Sequence, residues 1–392
     1  MHPAARLFGN KDMRLGGNRI LLCVSGSIAA TETVKLAREL IRHGGEVVPL
    51  MTEAAARIIS SEALRFACGV EPVTALTGDV EHISLFTDKK LNAVVVAPAT
   101  ADVISKIAHA IADDAVTTLC LNALGMNVPL IVAPSMGAAM MNNPFLKKNM
   151  ESLRRQGVNV LPSIMAENEA KLLDSDFIVE ETARCFSAGT LRRRSVLVVG
   201  GAGEEQVDDV RLLTSRSTGR TAVEIATVAY EQKANVTLWC GRMDVEVPSY
   251  LKCTPFRTLS DLRALTAGRR FDIVIVPASL PDFLPEKRKG KTPSTSDMQL
   301  KLRRAPKFID EIRGKCRVLV AFKAEIGNES AVVGSARKRL ERAKLDMIVA
   351  NNLAHVRENS TRAHILTRKS DELFQGTKRE LAEKIIGALP SL

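Results

Sequence analysis

Short runs of consecutive aliphatic residues, each closed by a turn of small residues and followed by an amphipathic stretch, constrain this 392-residue chain most. Arg19–Ser25 (RILLCVS) reads as a buried strand. Ile28–Arg42 reads as a helix with Ala30, Val34, Ala37 and Ile41 on one face. Gly44 and Gly45 end that helix, and Glu46–Met51 is the next strand. Asn92–Ala97 and Val128–Ala133 are further strands, with helical segments near Ala101–Ile111, Ala115–Leu124, Asn142–Gln156 and Phe177–Phe186. Apolar residues at every position, rather than alternate ones, suit strands buried on both faces. The alternation predicts a mostly parallel sheet with helices on both sides.

The pattern breaks at Ser187–Arg194 (SAGTLRRR) and restarts at Ser195. Strands are expected at Ser195–Val199, Asn235–Cys240, Phe271–Val276, Arg317–Phe322 and Leu345–Ala350, with a hairpin-like piece near Ala363–Thr367. Helices are expected at about Thr218–Gln232, Pro306–Ile312 and Val333–Arg342, and from Lys378 onward. The fold class is therefore α/β, with two doubly wound Rossmann-like domains over 1–188 and 189–392. Charge divides in the same place. Residues 1–190 carry 18 Lys and Arg against 20 Asp and Glu, whereas 191–392 carry 37 against 24. The excess is either a solubilising surface or the mark of a polyanionic partner of the second half. With one Trp and two Tyr the chain has few platforms for stacking bases, so a nucleotide or phosphorylated metabolite is expected rather than nucleic acid. No run of about 18 apolar residues is present to span a membrane. Seven cysteines, none in a CxxC, predict reduced thiols in a cytoplasmic protein, without a disulfide framework or a thiolate zinc site.

Three turns in the first half leave a strand and open a helix: Ser25-Gly26-Ser27, Met51-Thr52 and Ala97-Pro98-Ala99-Thr100. Backbone N–H groups at a helix start favour an anion, and glycine permits close approach. Three such turns in one crevice predict a site for a phosphate-bearing cofactor. His82, beside Glu81, is either a proton-transfer group or an ordinary surface residue. In the second half, Gly200-Gly201-Ala202-Gly203 ends a strand but is not a GxGxxG fingerprint. Thr214–Arg220 (TSRSTGR) precedes a helix and is a phosphate site or a plain cap. Lys287–Asp297 (KRKGKTPSTSD) is a solvated charge run or a cationic loop that brings Lys291 to phosphates. Phe322-Lys323-Ala324-Glu325 puts a charge pair at the sheet's carboxyl edge.

Taken together and in order, these strings resemble the bifunctional coenzyme A biosynthesis family, which joins a phosphopantothenoylcysteine decarboxylase to a phosphopantothenate–cysteine ligase. In the first half the likeness rests on Ser25–Ala30, Val34–Arg38, Met51–Ala55, Glu81-His82-Ile83, Ala97–Asp102, Lys106-Ile107-Ala108 and Pro134-Ser135-Met136. In the second it rests on Gly200-Gly201, Asp208, Val210-Arg211, Arg216–Arg220, Asp282 within Leu280–Pro285, Gly290-Lys291, Phe322–Glu325 and Leu345–Asn351. Ala30-Thr31-Glu32 lacks the Tyr-Lys of bacterial members, and the texture is closer to archaeal ones.

The resemblance implies a flavodoxin-like, flavin-binding Cys decarboxylase fold followed by a ligase fold. It implies FMN at Ser25, Gly26, Ser27, Thr52, Pro98, Ala99, Thr100 and Asp102, with His82 catalytic. For the ligase it implies CTP with Mg2+, an acyl-cytidylate of 4′-phosphopantothenate, and displacement of CMP by cysteine. Lys291 would be the catalytic cation. Ser215, Ser217, Gly219, Val276, Pro277, Ala278, Asp282, Ala305, Pro306, Lys307, Phe308, Phe322, Arg339 and Lys344 would surround nucleotide and substrate. A homo-oligomer is implied, trimeric through the flavin domains and dimeric through the ligase domains.

The chain also departs from the family. Gly137 follows Met136 where an Asn orients the substrate carboxylate. No Cys occurs in Ile164–Leu173, where bacterial members place a proton donor. Asp102 and Ser215 each stand where Asn is usual, and Ala202 replaces Thr. A second reading is therefore an active ligase joined to a flavin-binding half that does not turn over and serves assembly or regulation. A third, a basic nucleic-acid-binding protein, is opposed by the poverty in aromatics.

Overall fold

The computed structural model describes residues 2–78, 81–87, 91–166, 169–292, 298–352 and 360–392, with the backbone alone at 81–82, 164–166 and 169–170. The chain divides into two compact units, Met1–Ser187 and Ala188–Leu392.

In the first unit five parallel strands lie in the order Glu46–Met51, Arg19–Val24, Ala93–Ala99, Leu130–Pro134, Asn159–Val160. Numbered along the chain, that is 2-1-3-4-5. The winding reverses between the first and third strands, and sheets of this kind bind ligands at the carboxyl ends beside such a reversal. Every residue of Ala93–Ala99 is buried, as its unbroken apolar run requires. Val94 and Val96 join Leu21, Cys23, Val103, Ile104 and Leu119 in one core. The segment expected as a single helix from Ile28 opens instead as a 3₁₀ turn, Ile28–Glu32, and becomes α-helical over Thr33–Arg42. Beyond the main sheet, Met136–Gly137 pairs with a hairpin made of Ile164–Ala166 and Glu169–Lys171.

The second unit is built on an eight-stranded sheet: Cys253–Pro255, Asn235–Cys240, Ser195–Gly200, Phe271–Val276, Cys316–Glu325, Met347–Asn352, Ser360–Thr367, Asp371–Thr377. The first six are parallel and run 3-2-1-4-5-6 in chain order; the last two are antiparallel. Side chains alternate between two cores. Val196, Val198, Ile273 and Ile275 face helices Arg220–Glu231 and Lys378–Ala388 through Ala222, Ile225, Leu381 and Ile385. Leu197, Val199, Val274 and Val276 face the opposite layer through Leu262, Phe308, Ala336 and Leu340. A Cβ on Gly200 would fall 2.1 Å from Ala222 Cβ, so glycine is what lets helix Arg220–Glu231 lie on its strand.

One expectation about the thiols is corrected. Cys240 and Cys253 sit on neighbouring parallel strands with Cα atoms 6.1 Å apart, inside disulfide reach, and they are bonded. Cys253–Pro255 is only three residues long and carries no periodic signal, so the neighbour relation was not readable. No helix among the described residues is long and apolar enough to cross a membrane.

Candidate active sites

The reversal in the first sheet brings together two of the turns singled out above. Ser25 is fully buried. Its hydroxyl donates to Pro98 O at 2.7 Å and accepts from Thr100 N–H at 3.0 Å, which stitches the turn after the first strand to the turn after the third. Thr52 N–H donates to Val24 O at 3.0 Å, so the second strand's turn lies alongside. The Thr52 and Thr100 hydroxyls cap the helices that follow, accepting from Ala55 N at 3.1 Å and Val103 N at 3.4 Å. Ser27 caps its 3₁₀ turn, accepting from Ala29 N at 3.4 Å. A Cβ on Gly26 would come within 2.5 Å of Ala54 Cβ, so only glycine allows the first turn to rest on helix Glu53–Ala56. Asp102 lies on the exposed side of helix Ala101–Ala108 and pairs with Lys106 at 3.0 Å; this pair first, then Asp113, raises the lysine's pKa. His82 is on helix Glu81–Thr87, and its side chain lies outside the described residues.

A cavity of about 650 Å³ opens beside these turns. Ser27 and the 3₁₀ turn form one wall, Ser135-Met136-Gly137 another, and 171–175 with Ile178 a third. Lys35 and Lys171 also line it. Of the first-half residues proposed for a cofactor, Ser27 alone is in this lining; the others hold the adjoining turns. Gly137 has φ −63°, and a Cβ there would meet nothing within 4 Å among the described residues, so the missing side chain reflects no steric demand from them.

In the second unit the turn after Ser195–Gly200 interlocks with the turn after Phe271–Val276. Ala278 N–H donates to Val199 O at 2.9 Å, Ser279 N–H to Gly201 O at 2.9 Å, and Gly203 N–H to Ser279 O at 3.0 Å. Gly201 has φ +81°, and a Cβ would fall 2.6 Å from Arg242 O; both features require glycine. Ser215 Oγ donates to Ser279 O at 3.4 Å, and Gly219, at φ +78°, opens helix Arg220–Glu231.

A cavity of about 590 Å³ lies at the carboxyl ends of the next pair, Phe271–Val276 and Cys316–Glu325. Val276, Pro277, Ala278, Asp282, Pro306, Lys307, Phe308, Phe322 and Arg339, all among the residues the resemblance named, line it. Its charges are four cations, Lys307, Lys323, Arg339 and Arg342, against Asp282 and Glu325. Lys307 bonds Asp282, Lys323 pairs with Glu325 at 2.7 Å, and Arg339 reaches Asp310 at 3.6 Å. Arg342 is exposed and has no partner among the described residues. The lining is thus net positive, with Phe322 half-buried beside it, a combination suited to an anion attached to a planar ring.

Some expected residues are placed elsewhere. Ser215, Ser217 and Gly219 belong to the neighbouring turn, and Ala305 is buried behind the wall with its N–H on Asp282 O at 2.9 Å. Lys344 does not line the cavity: helix Glu329–Arg342 has ended, and Lys344 has φ +50°. Arg342, three residues beyond Arg339 on the same helical face, lines it instead; that spacing is visible in the sequence. Lys291 is on an exposed loop outside the lining.

Comparison with known proteins follows the same division. Residues 9–187 match the Flavoprotein family, and residues 191–392 match the DNA/pantothenate metabolism flavoprotein C-terminal domain. The chain is 37% identical to the Coenzyme A biosynthesis bifunctional protein CoaBC of Thermococcus kodakarensis, over 98% of each chain. It is 34% identical to that of Methanocaldococcus jannaschii, over 100% of this chain and 98% of the relative. Among solved structures, the C-terminal domain of a Coenzyme A biosynthesis bifunctional protein CoaBC covers 52% of this chain and 97% of its own at 24% identity and TM-score 0.43. With both halves matched in order over the full length, the chain belongs to the family of bifunctional coenzyme A biosynthesis proteins.

Proposed function

We propose that this chain converts 4′-phosphopantothenate and cysteine to 4′-phosphopantetheine, with the second unit as ligase and the first as decarboxylase. The observation that carries the ligase assignment is the cationic cavity at the carboxyl ends of Phe271–Val276 and Cys316–Glu325. Its excess of cations and its flanking Phe322 support CTP, accompanied by Mg2+, as the activating nucleotide. The carboxylate oxygen of 4′-phosphopantothenate attacks the α-phosphorus, pyrophosphate leaves, and an acyl-cytidylate forms. The cysteine amine then attacks the acyl carbon; its proton is lost, the amide forms and CMP leaves. Arg339 and Arg342 oppose phosphate charge, and Lys291 stabilises the charge that develops during transfer. Asp282 and Lys307, bonded to each other, frame the cavity mouth. Ser215 and Ser217 lie on the turn that leads to helix Arg220–Glu231 and contact the substrate side.

In the first unit the residues fit FMN. The turns at Ser25–Ser27, Thr52 and Pro98–Thr100 meet at the sheet reversal, and helix Ala101–Ala108 begins at the same edge, where its N-terminus favours phosphate. When bound, FMN supplies the two-electron chemistry that allows the cysteinyl carboxylate to leave as carbon dioxide. Ser25 positions the turns, Gly26 admits close approach, and Met136 and Gly137 form one wall of the adjoining cavity. His82 holds or moves the proton. The flavin units form trimers and the ligase units dimers, in the cytoplasm.

Gly137 favours the second reading, in which the flavin unit binds FMN without turnover, because position 137 itself carries no side chain where the family has Asn. Mass analysis of products separates the two. The bifunctional reading yields 4′-phosphopantetheine, whereas the second yields the undecarboxylated amide with flavin still bound.

A further inference from the structure

One buried carboxylate of the second unit has no part in the chemistry above. Asp208 sits at the tip of the hairpin Glu204–Gln206/Leu212–Thr214, its side chain fully buried. Its Oδ1 accepts from Val210 N–H at 2.9 Å and Arg211 N–H at 2.8 Å. Its Oδ2 accepts from Thr292 N–H at 3.2 Å and from the Arg211 guanidinium at 2.5 Å. The same Arg211 nitrogen donates to Thr292 O at 3.2 Å. Alongside, Asp209 Oδ2 accepts from Gly290 N–H at 2.8 Å, Asp209 N–H donates to Gly290 O at 3.3 Å, and Arg288 N–H donates to Val207 O at 3.0 Å. The backbone is therefore tied down on both sides of Lys291, at Gly290 and at Thr292. The hydrogen bonds from Val210, Arg211 and Thr292 outweigh burial and hold the Asp208 carboxyl well below the usual carboxylate range.

We infer that Asp208 is a positioning residue of the ligase: with Arg211 it holds the loop at Thr292, opposite the Asp209–Gly290 contact, and so sets where Lys291 between them meets the nucleotide's phosphates. The inference rests on the ligase reading and on Lys291 as its cation. Asparagine at 208 keeps the shape but replaces one acceptor oxygen with a donor, facing backbone N–H groups and a guanidinium. A loop released in this way misplaces its cation without removing it.

The test measures amide formation from 4′-phosphopantothenate, cysteine and CTP by full-length wild type, Asp208→Asn, Lys291→Gln and the double variant. Asp208→Asn is expected to lower kcat on the order of 100-fold, with a much smaller change in KM for CTP. The double variant is expected to be no slower than the slower single, because both remove one function. Arg211→Lys, which keeps the charge but not the planar guanidinium whose Nη1 reaches both Asp208 and Thr292, is expected to show an intermediate loss. It serves as the probe if Asp208→Asn fails to fold. Full kcat in folded Asp208→Asn, or in folded Arg211→Lys where that is the probe, beside a slow Lys291→Gln would overturn the positioning role alone. Losses that multiply in the double variant would also overturn it. Full turnover in Lys291→Gln would overturn the Lys291 assignment and the inference with it.

Discussion

Replacing Ser25 with alanine removes one oxygen that joins two turns. Pro98 O keeps a second donor, the Ser25 N–H at 3.3 Å, but Thr100 N–H loses the hydroxyl it donates to at 3.0 Å. An unsatisfied buried donor costs about 1–3 kcal/mol, and the lost hydrogen bond to Pro98 about 1 kcal/mol more. The expected destabilisation is therefore about 2–4 kcal/mol, which a unit with ordinary stability of about 5–15 kcal/mol survives. If the stitched turns form the flavin site, about 2 kcal/mol of this appears as weaker flavin binding, roughly 30-fold in Kd. Two measurements read the effect: titration of flavin-free protein with FMN by fluorescence quenching, and the urea midpoint of the first unit. Ser60→Ala is the control, since its exposed hydroxyl caps helix Ser61–Cys68 at 3.2 Å, outside the cavity lining, and its loss costs about 1 kcal/mol. If Ser25→Ala leaves both FMN affinity and the urea midpoint at wild-type values, the stitching role is wrong.

His82→Asn is expected to abolish carbon dioxide release while the ligation rate and bound flavin stay at wild-type levels; loss of ligation in the folded variant would refute independent halves. Arg342→Gln is expected to raise the KM for CTP about tenfold, a loss of about 1.4 kcal/mol, whereas Lys344→Gln leaves it unchanged; the reverse pattern would restore Lys344 to the site. For His364, burial opposes the charge, but hydrogen bonds to Asp371 at 2.9 Å and Glu329 at 3.0 Å win and raise its pKa above 6.5. Its stabilisation is complete below 6.5 and is lost as pH rises through the raised value. The urea midpoint of the second unit should fall across that window in wild type more than in His364→Gln, and parallel profiles would contradict the assignment.

The double alternation of strand and helix was legible because Ala93–Ala99, Ser195–Gly200 and Phe271–Val276 are packed on both faces, so nearly every residue is apolar. Elements stabilised by remote partners were not. Cys253–Pro255, Met136–Gly137 with its hairpin, and the pair Phe283–Pro285/Leu302–Arg304 are two- or three-residue strands, too short for any period to register. The disulfide between Cys240 and Cys253 escaped notice for the same reason. Ser25 reads locally as an anion donor, and only the return of the third strand's turn shows its hydroxyl already committed. Arg342 was within reach of helical spacing from Arg339. Resemblance favoured Lys344, which lies past the helix end at Arg342 and outside the cavity lining.

The central claim is that both halves of this chain act in turn on one substrate. Purified protein supplied with 4′-phosphopantothenate, cysteine, CTP and Mg2+ tests it when the products are followed by mass. A product lighter than the ligation amide by one carbon dioxide is the expected result. Accumulation of the amide would contradict a working decarboxylase, and no product with CTP would contradict the ligase assignment.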